Sequence, residues 1–188
     1  MNGCLYLCGM RKLSMQELNR LSSDDFRAAE KQPIIIILDH IRSMHNVGSV
    51  FRTADAFLVE SIYLCGYTPQ PPHRDIHKTA LGATETVAWE YFPSTEAAVA
   101  AAKQKGYSVW AVEQTNQSIA LQKLPVANTG MALVFGNEVE GVRDAVLSLC
   151  DGSIEIPQWG MKHSLNVSIA AGIVLWELTR IQLLNQNN

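Results

Sequence analysis

Apolar positions along this chain keep two rhythms. Pro33 introduces an unbroken run, IIIIL at residues 34–38, and shorter apolar runs return at residues 61–65, 86–91, 109–112, 132–135 and 154–156. Continuous runs of this length, rich in β-branched side chains, suit strands buried on both faces. Between them the spacing turns helical. In HNVGSVFRTADAF, residues 45–57, Val47, Val50, Phe51, Ala54 and Phe57 fall on one helical face. Further helices are predicted over residues 14–30, opened by the capping pair Ser14 and Glu17, over 95–105 with Gly106 as the stop, over 142–150, and from 166 to about 183. Residues 66–77 read as a loop, with Pro69, Pro71 and Pro72.

Strands alternating with helices predict an α/β fold, a mostly parallel sheet with helices on both faces. No internal repeat interrupts it. Residues 32–188 are expected to form the domain, and residues 1–31 an N-terminal extension and helical arm; Met10, followed by Arg11 and Lys12, is an alternative start.

Open parallel sheets take ligands beyond the carboxyl ends of their strands. Three predicted strand ends carry residues a core does not need: DHIRSMHNVGSVFR at 39–52, GNEVEG at 136–141 and PQWGMKHSLN at 157–166. Each supplies glycine, where backbone can approach a ligand closely, beside small polar side chains. One helix is odd: Asn46, Gly48 and Arg52 sit in a stretch that a simple cap could have opened, and Asn46 itself is a favoured cap.

Composition narrows the choices. The chain has 188 residues, 47% hydrophobic and 18% charged, as one globular domain would. Its net charge of −3 gives no bulk sign of nucleic-acid binding, so any such surface is local. Cys4, Cys8, Cys65 and Cys150 are scattered, which suggests free thiols in a reducing cytoplasm. No apolar run approaches the roughly 20 residues of a membrane span. There is no GxGxxG, no GxxxxGK[ST], no HExxH and no GxSxG, and no metal site is expected.

At those three strand ends the sequence resembles the SpoU-type, or TrmH-like, RNA ribose 2′-O-methyltransferases of the SPOUT superfamily. The resemblance rests on Asn46-x-Gly48-x-x-x-Arg52, on FGNEVEGV at 135–142 and on IPQWGMKHSLNVSIAAGI at 156–173, and it spans Pro33 to the last helix. It implies a C-terminal trefoil knot, a topology that general folding rules disfavour, and S-adenosyl-L-methionine as cofactor. Phe135, Gly136, Ile156, Leu165 and Asn166 would bind the cofactor, while Asn46, Arg52, Glu138, Ser164 and Asn166 would form the catalytic set. A homodimer would complete the site, with the stripe Ile169, Ile173, Val174 and Trp176 shared between core and interface. The implied substrate is structured RNA, tRNA slightly ahead of rRNA. Arg11, Lys12, Arg42, His45, Arg74, Lys78 and Lys162 are candidate RNA contacts, and Tyr67 and Trp159 candidate stacking groups. The competing expectation is a catalytically idle RNA-binding or assembly factor on the same scaffold.

Overall fold

The computed structural model describes residues 10–14, 16–124 and 130–186. Seven strands form one sheet: β1 (Gln32–Asp39), β2 (Val59–Cys65), β3 (Ala88–Phe92), β4 (Ser108–Val112), β5 (Ile119–Ala120), β6 (Met131–Phe135) and β7 (Gly152–Glu155). Their spatial order is β3-β2-β1-β6-β4-β7-β5, and every neighbouring pair is parallel. The one antiparallel pairing among the described residues is the bridge from Asn137 to Gly141.

The isoleucine run explains why both faces are covered. Side chains alternate across a strand, so Ile34, Ile36 and Leu38 join one apolar cluster and Ile35 and Ile37 another. Helices α2 (Met44–Ala56) and α7 (Val167–Gln186) cover the first face through Val50, Phe51, Ala171 and Val174. Helices α5 (Thr95–Gln104) and α6 (Asp144–Leu147) cover the second through Ala98, Ala102 and Val146. Burying each large aliphatic side chain contributes about 1.5–3 kcal/mol. The expected fold class holds at this level, an α/β sheet between two helical layers.

Several boundaries differ from expectation. The predicted helix over 14–30 shrinks to α1 (Ser23–Ala28). The Ser14–Glu17 capping contacts do form, at 2.8 Å from the Ser14 amide to the carboxylate, but only a turn follows. Leu18 and Leu21 stay exposed there, and a short helix without a buried face is marginal. Phe26 of α1 is buried in the main core, so this end of the predicted arm packs onto the domain. The predicted loop over 66–77 already contains the start of α3 (Arg74–Ala80), and Thr86 ends the short helix α4 (Ala83–Thr86), where a strand was expected. The helix predicted over 142–150 is a single turn, α6. Glu113 holds the Val142 amide and Arg143 is extended, so helix cannot begin earlier. Strand β7 ends at Glu155, leaving Ile156 beyond the sheet. Cys4 and Cys8 lie outside the described residues.

Candidate active site

Strand β6 delivers Phe135 at the centre of the sheet, between β1 and β4, and the chain then turns sharply. Asn137 and Gly141 exchange backbone hydrogen bonds at 3.1 and 2.9 Å, closing a tight hairpin. Gly136 lies so close beneath it that a Cβ there would come within 2.1 Å of the Gly141 carbonyl carbon. Only glycine fits without moving the loop. The Asn137 carboxamide oxygen accepts from the Val139 and Glu140 amides, and its nitrogen donates to the His40 carbonyl and the Tyr67 hydroxyl, 2.7 Å each.

The hairpin projects Glu138 at the start of α2. Its carboxylate accepts from the Arg42 amide at 3.0 Å, the Ser43 amide at 3.1 Å and the Asn46 side-chain nitrogen at 3.0 Å. Backbone donors ahead of a helix favour an anion. Burial pushes the Glu138 carboxyl up, but these donors outweigh it and hold the group below its ordinary range. Asn46 does not cap α2. Ser43 does, accepting from the Asn46 amide at 3.3 Å, and this frees the Asn46 side chain. Its oxygen accepts from the Asn166 side-chain nitrogen at 3.0 Å. Asn166 in turn accepts from the Ser168 amide at 2.9 Å, so Asn166, rather than Ser164, caps the start of α7. One chain of hydrogen bonds therefore runs from Glu138 through Asn46 to Asn166, joining all three stretches singled out in the sequence.

Beside this chain lies a cavity of about 690 Å³ at the carboxyl ends of β4, β6 and β7. Phe135, Gly136, Ile156, Leu165 and Asn166 all line it, as do Glu138 and Ser164. Apolar walls meet carboxylates here, since Glu113, Glu140, Asp144 and Glu155 also line it. Such a cavity fits a flat apolar group carrying positive charge, which describes the adenosine and sulfonium of S-adenosyl-L-methionine.

Arg52 stands apart. It is exposed on α2 and absent from the cavity wall, and its guanidinium pairs with no described residue. Ser164 is exposed and its hydroxyl makes no hydrogen bond to a described residue. The expected stripe on α7 divides: Val174 is fully buried, whereas Ile169, Ile173 and Trp176 are exposed. Arg42, His45, Arg74, Lys78 and Lys162 are all exposed. Lys78 is paired with Asp75 at 2.7 Å, and Arg11 with Glu17 at 2.6 Å, while Lys12 is exposed in the N-terminal segment. Trp159 is 91% exposed, but the Tyr67 ring packs edge-on to His40.

Glu113 was not anticipated from the sequence, and Asp39 was expected only to orient a neighbouring histidine. Glu113, at the end of β4, accepts from the Val142 amide at 2.9 Å and so anchors the far side of the hairpin. Asp39, 1% exposed, contacts His40 at 2.7 Å, Arg143 at 3.4 Å and the Thr95 hydroxyl. Their signal was a carboxylate at each strand end, with partners too distant in sequence to read. Burial pushes Cys65 up to about 12 and Cys150 up to about 11, so neither thiol is a ready nucleophile. Among the described residues no three His, Cys, Asp or Glu side chains are placed to hold a metal ion, and no helix is long and apolar enough to cross a membrane.

Comparison with known proteins adds the following. The SpoU rRNA Methylase family model matches residues 33–176. The 23S rRNA (guanosine-2′-O-)-methyltransferase RlmB of Vibrio cholerae is 32% identical over 171 residues, 91% of this chain and 68% of that protein. The tRNA (guanosine(18)-2′-O)-methyltransferase of Thermus thermophilus is 30% identical over 154 residues, 81% of this chain and 78% of its own. The AdoMet-bound rRNA methyltransferase from Sinorhizobium meliloti superposes with a TM-score of 0.75 at 26% identity, covering 83% of this chain and 60% of that one. The chain thus spans about two thirds of the RlmB protein's length.

Proposed function

The chain belongs to the SpoU rRNA Methylase family, and from that premise we propose that it transfers a methyl group from S-adenosyl-L-methionine to a ribose 2′-hydroxyl of tRNA or rRNA. The observation that carries the reading is the single hydrogen-bonded chain Glu138–Asn46–Asn166 beside a cavity lined by Gly136 and Ile156.

S-adenosyl-L-methionine, when bound, supplies an activated methyl group on a sulfonium. Gly136, Ile156 and Leu165 offer backbone and apolar surface to its adenosine, and Glu138 with the neighbouring carboxylates offsets its charge. Asn46 is committed at both ends of its amide, so its part is to lock the start of α2 against the hairpin. Such positioning of reacting groups contributes about 7–11 kcal/mol when alignment is good. A guanidinium is a cation with donors only and no acceptor for a proton, so the part of Arg52 is electrostatic. It acts as a charge and a two-pronged donor at the developing ribose oxyanion and a neighbouring phosphate.

Arg52 does not line the cavity beside Glu138 and Asn46, and α2 packs against α7, whose Ile169, Ile173 and Trp176 are exposed. A homodimer pairing this face brings Arg52 to a cavity shared with the second copy. In this reading residues 32–188 are the methyltransferase domain, residues 1–31 an arm that adds Arg11 and Lys12 to the RNA surface, and the segment from β6 to α7 forms the trefoil knot. The protein works in the cytoplasm, where its RNA is. Calorimetry with S-adenosyl-L-methionine, followed by nuclease digestion and mass spectrometry of tRNA and rRNA incubated with both, tests the activity. A new 2′-O-methylnucleoside is expected. Cofactor binding with no ribose methylation in either pool would overturn it in favour of an RNA-binding factor.

A further inference from the structure

A second cavity, of about 470 Å³, opens where the proline-rich loop after β2 meets α3, α4 and the edge strand β3. The methyl-transfer chemistry uses none of it. Trp89 and the Pro71–Pro72 pair give it apolar walls, and Trp89 is held in place by packing against the main core. Around it stand Arg74, His77 and Glu85, all exposed, whose side chains pair with no described residue. Proteins that hold single-stranded RNA combine an aromatic face for a base with cations for the phosphates. An unpaired carboxylate adds selectivity. Guanine alone presents two adjacent donors, N1–H and the N2 amine, along the edge that a splayed-out base exposes.

The cavity is also fixed relative to the proposed active site. Helix α3, which carries Arg74 and His77, docks on α2 through the Thr79 hydroxyl, which donates to the His45 carbonyl at 3.1 Å. The contact is close at Gly48, where a Cβ would lie 2.3 Å from the Ile76 carbonyl oxygen. From Arg74 to Thr79 is about 8 Å along the helix. Helix α3 and the start of α2 also carry Lys78, His45 and Arg42, three exposed basic side chains, Lys78 paired with Asp75. We propose that this cavity receives an unpaired guanosine of the substrate RNA, flanking the nucleotide that is methylated. The inference rests on the methyltransferase reading for its substrate, yet it is tested by binding alone.

The probes are fluorescein-labelled heptaribonucleotides of uridine with guanosine, inosine or uridine at the centre, titrated against the full chain by anisotropy. Inosine lacks the N2 amine. The guanosine oligomer should bind about five- to tenfold more tightly than the inosine one, as expected for losing half of a two-pronged contact. Glu85→Gln should abolish that preference, and Arg74→Ala should weaken all three and lower the salt slope by about 0.7. With ¹⁵N-labelled tryptophan, the Trp89 indole signal, assigned by Trp89→Phe, should move with the guanosine oligomer. Equal binding of the three oligomers overturns the proposal, as does a guanosine preference that survives Glu85→Gln or an unmoved Trp89 signal. Calorimetry with S-adenosyl-L-methionine on each variant reports intact folding. Should the unaltered protein fail that calorimetry, the methyltransferase reading falls, while the guanosine preference is still read independently.

Discussion

The Asn46 side-chain nitrogen lies 3.0 Å from the Glu138 carboxylate, across 92 residues of sequence. The same carboxylate takes the Arg42 and Ser43 amides, so one acidic side chain seats the beginning of α2 against the β6 hairpin. Glu138→Gln keeps the shape but offers one acceptor oxygen in place of two and removes the charge. Hydrogen bonds to charged groups contribute more than neutral ones, but Glu138 is exposed and solvent screens it, so a loss of about 1–2 kcal/mol is expected. That is a fall of about 2–8 °C in Tm for a chain of this size. The pH dependence follows from the depressed carboxyl. A folded-state pKa below the ordinary 4.5 adds stability above that value and gives it up as pH falls through the folded value. The Tm gap between the unaltered protein and Glu138→Gln, followed by circular dichroism, should be full at pH 7 and close below pH 4.5. A gap that is constant down to the acid transition would show that the charge of Glu138 does not hold this junction.

Much of this site was legible before any coordinates. The strand-end rule for parallel sheets singled out the three loops, but Phe135, Gly136, Ile156 and Leu165 were named within and beside them only through the family resemblance. The roles of Asn46 and Ser164 were less legible. Which of several nearby Ser and Asn residues caps a helix depends on a turn's geometry, and here Ser43 and Asn166 took the two caps. The failed helix over 14–30 has the same kind of cause. Its local capping signal is real, but Leu18 and Leu21 stay exposed. The Asp39–Arg143 contact and the role of Glu113 escaped because Arg143 and the Val142 amide become their neighbours only through sheet order.

Gly136 carries a steric expectation. Gly136→Ala puts a methyl group within 2.2 Å of the Val142 nitrogen and 2.1 Å of the Gly141 carbonyl carbon, both backbone. Neither can rotate away, so the hairpin must shift, and overpacking of this kind costs about 1–3 kcal/mol. Cofactor affinity should fall by about 5- to 150-fold in calorimetry. Gly160→Ala is the comparison, because a Cβ there meets nothing within 4 Å, and its Tm should match that of the unaltered protein. Equal cofactor affinity in Gly136→Ala would mean the hairpin does not border the bound cofactor.

Trp176 and Ile173 expose 55% and 36% of their surface on a helix whose opposite side fills the core. If that face joins two copies, a charge at its centre is costly to desolvate. Ile173→Asp should convert a dimer into a monomer in sedimentation velocity. Methyl transfer should fall with the dimer population. A monomeric unaltered protein with full activity would remove the shared cavity from the mechanism.

Arg52 offers the sharpest division between roles, because its exposed guanidinium has no partner among the described residues. As an electrostatic stabiliser it needs both its charge and its planar fork; as a base it would need an acceptor that a guanidinium cation lacks. Arg52→Lys keeps the charge and discards the fork. Turnover should fall on the order of 10²- to 10³-fold, the usual cost of removing an oxyanion donor, while calorimetric affinity for S-adenosyl-L-methionine stays within about twofold. Arg52→Met, which discards both, should fall further. Near-normal turnover by Arg52→Lys would remove the fork from the mechanism and leave only its charge.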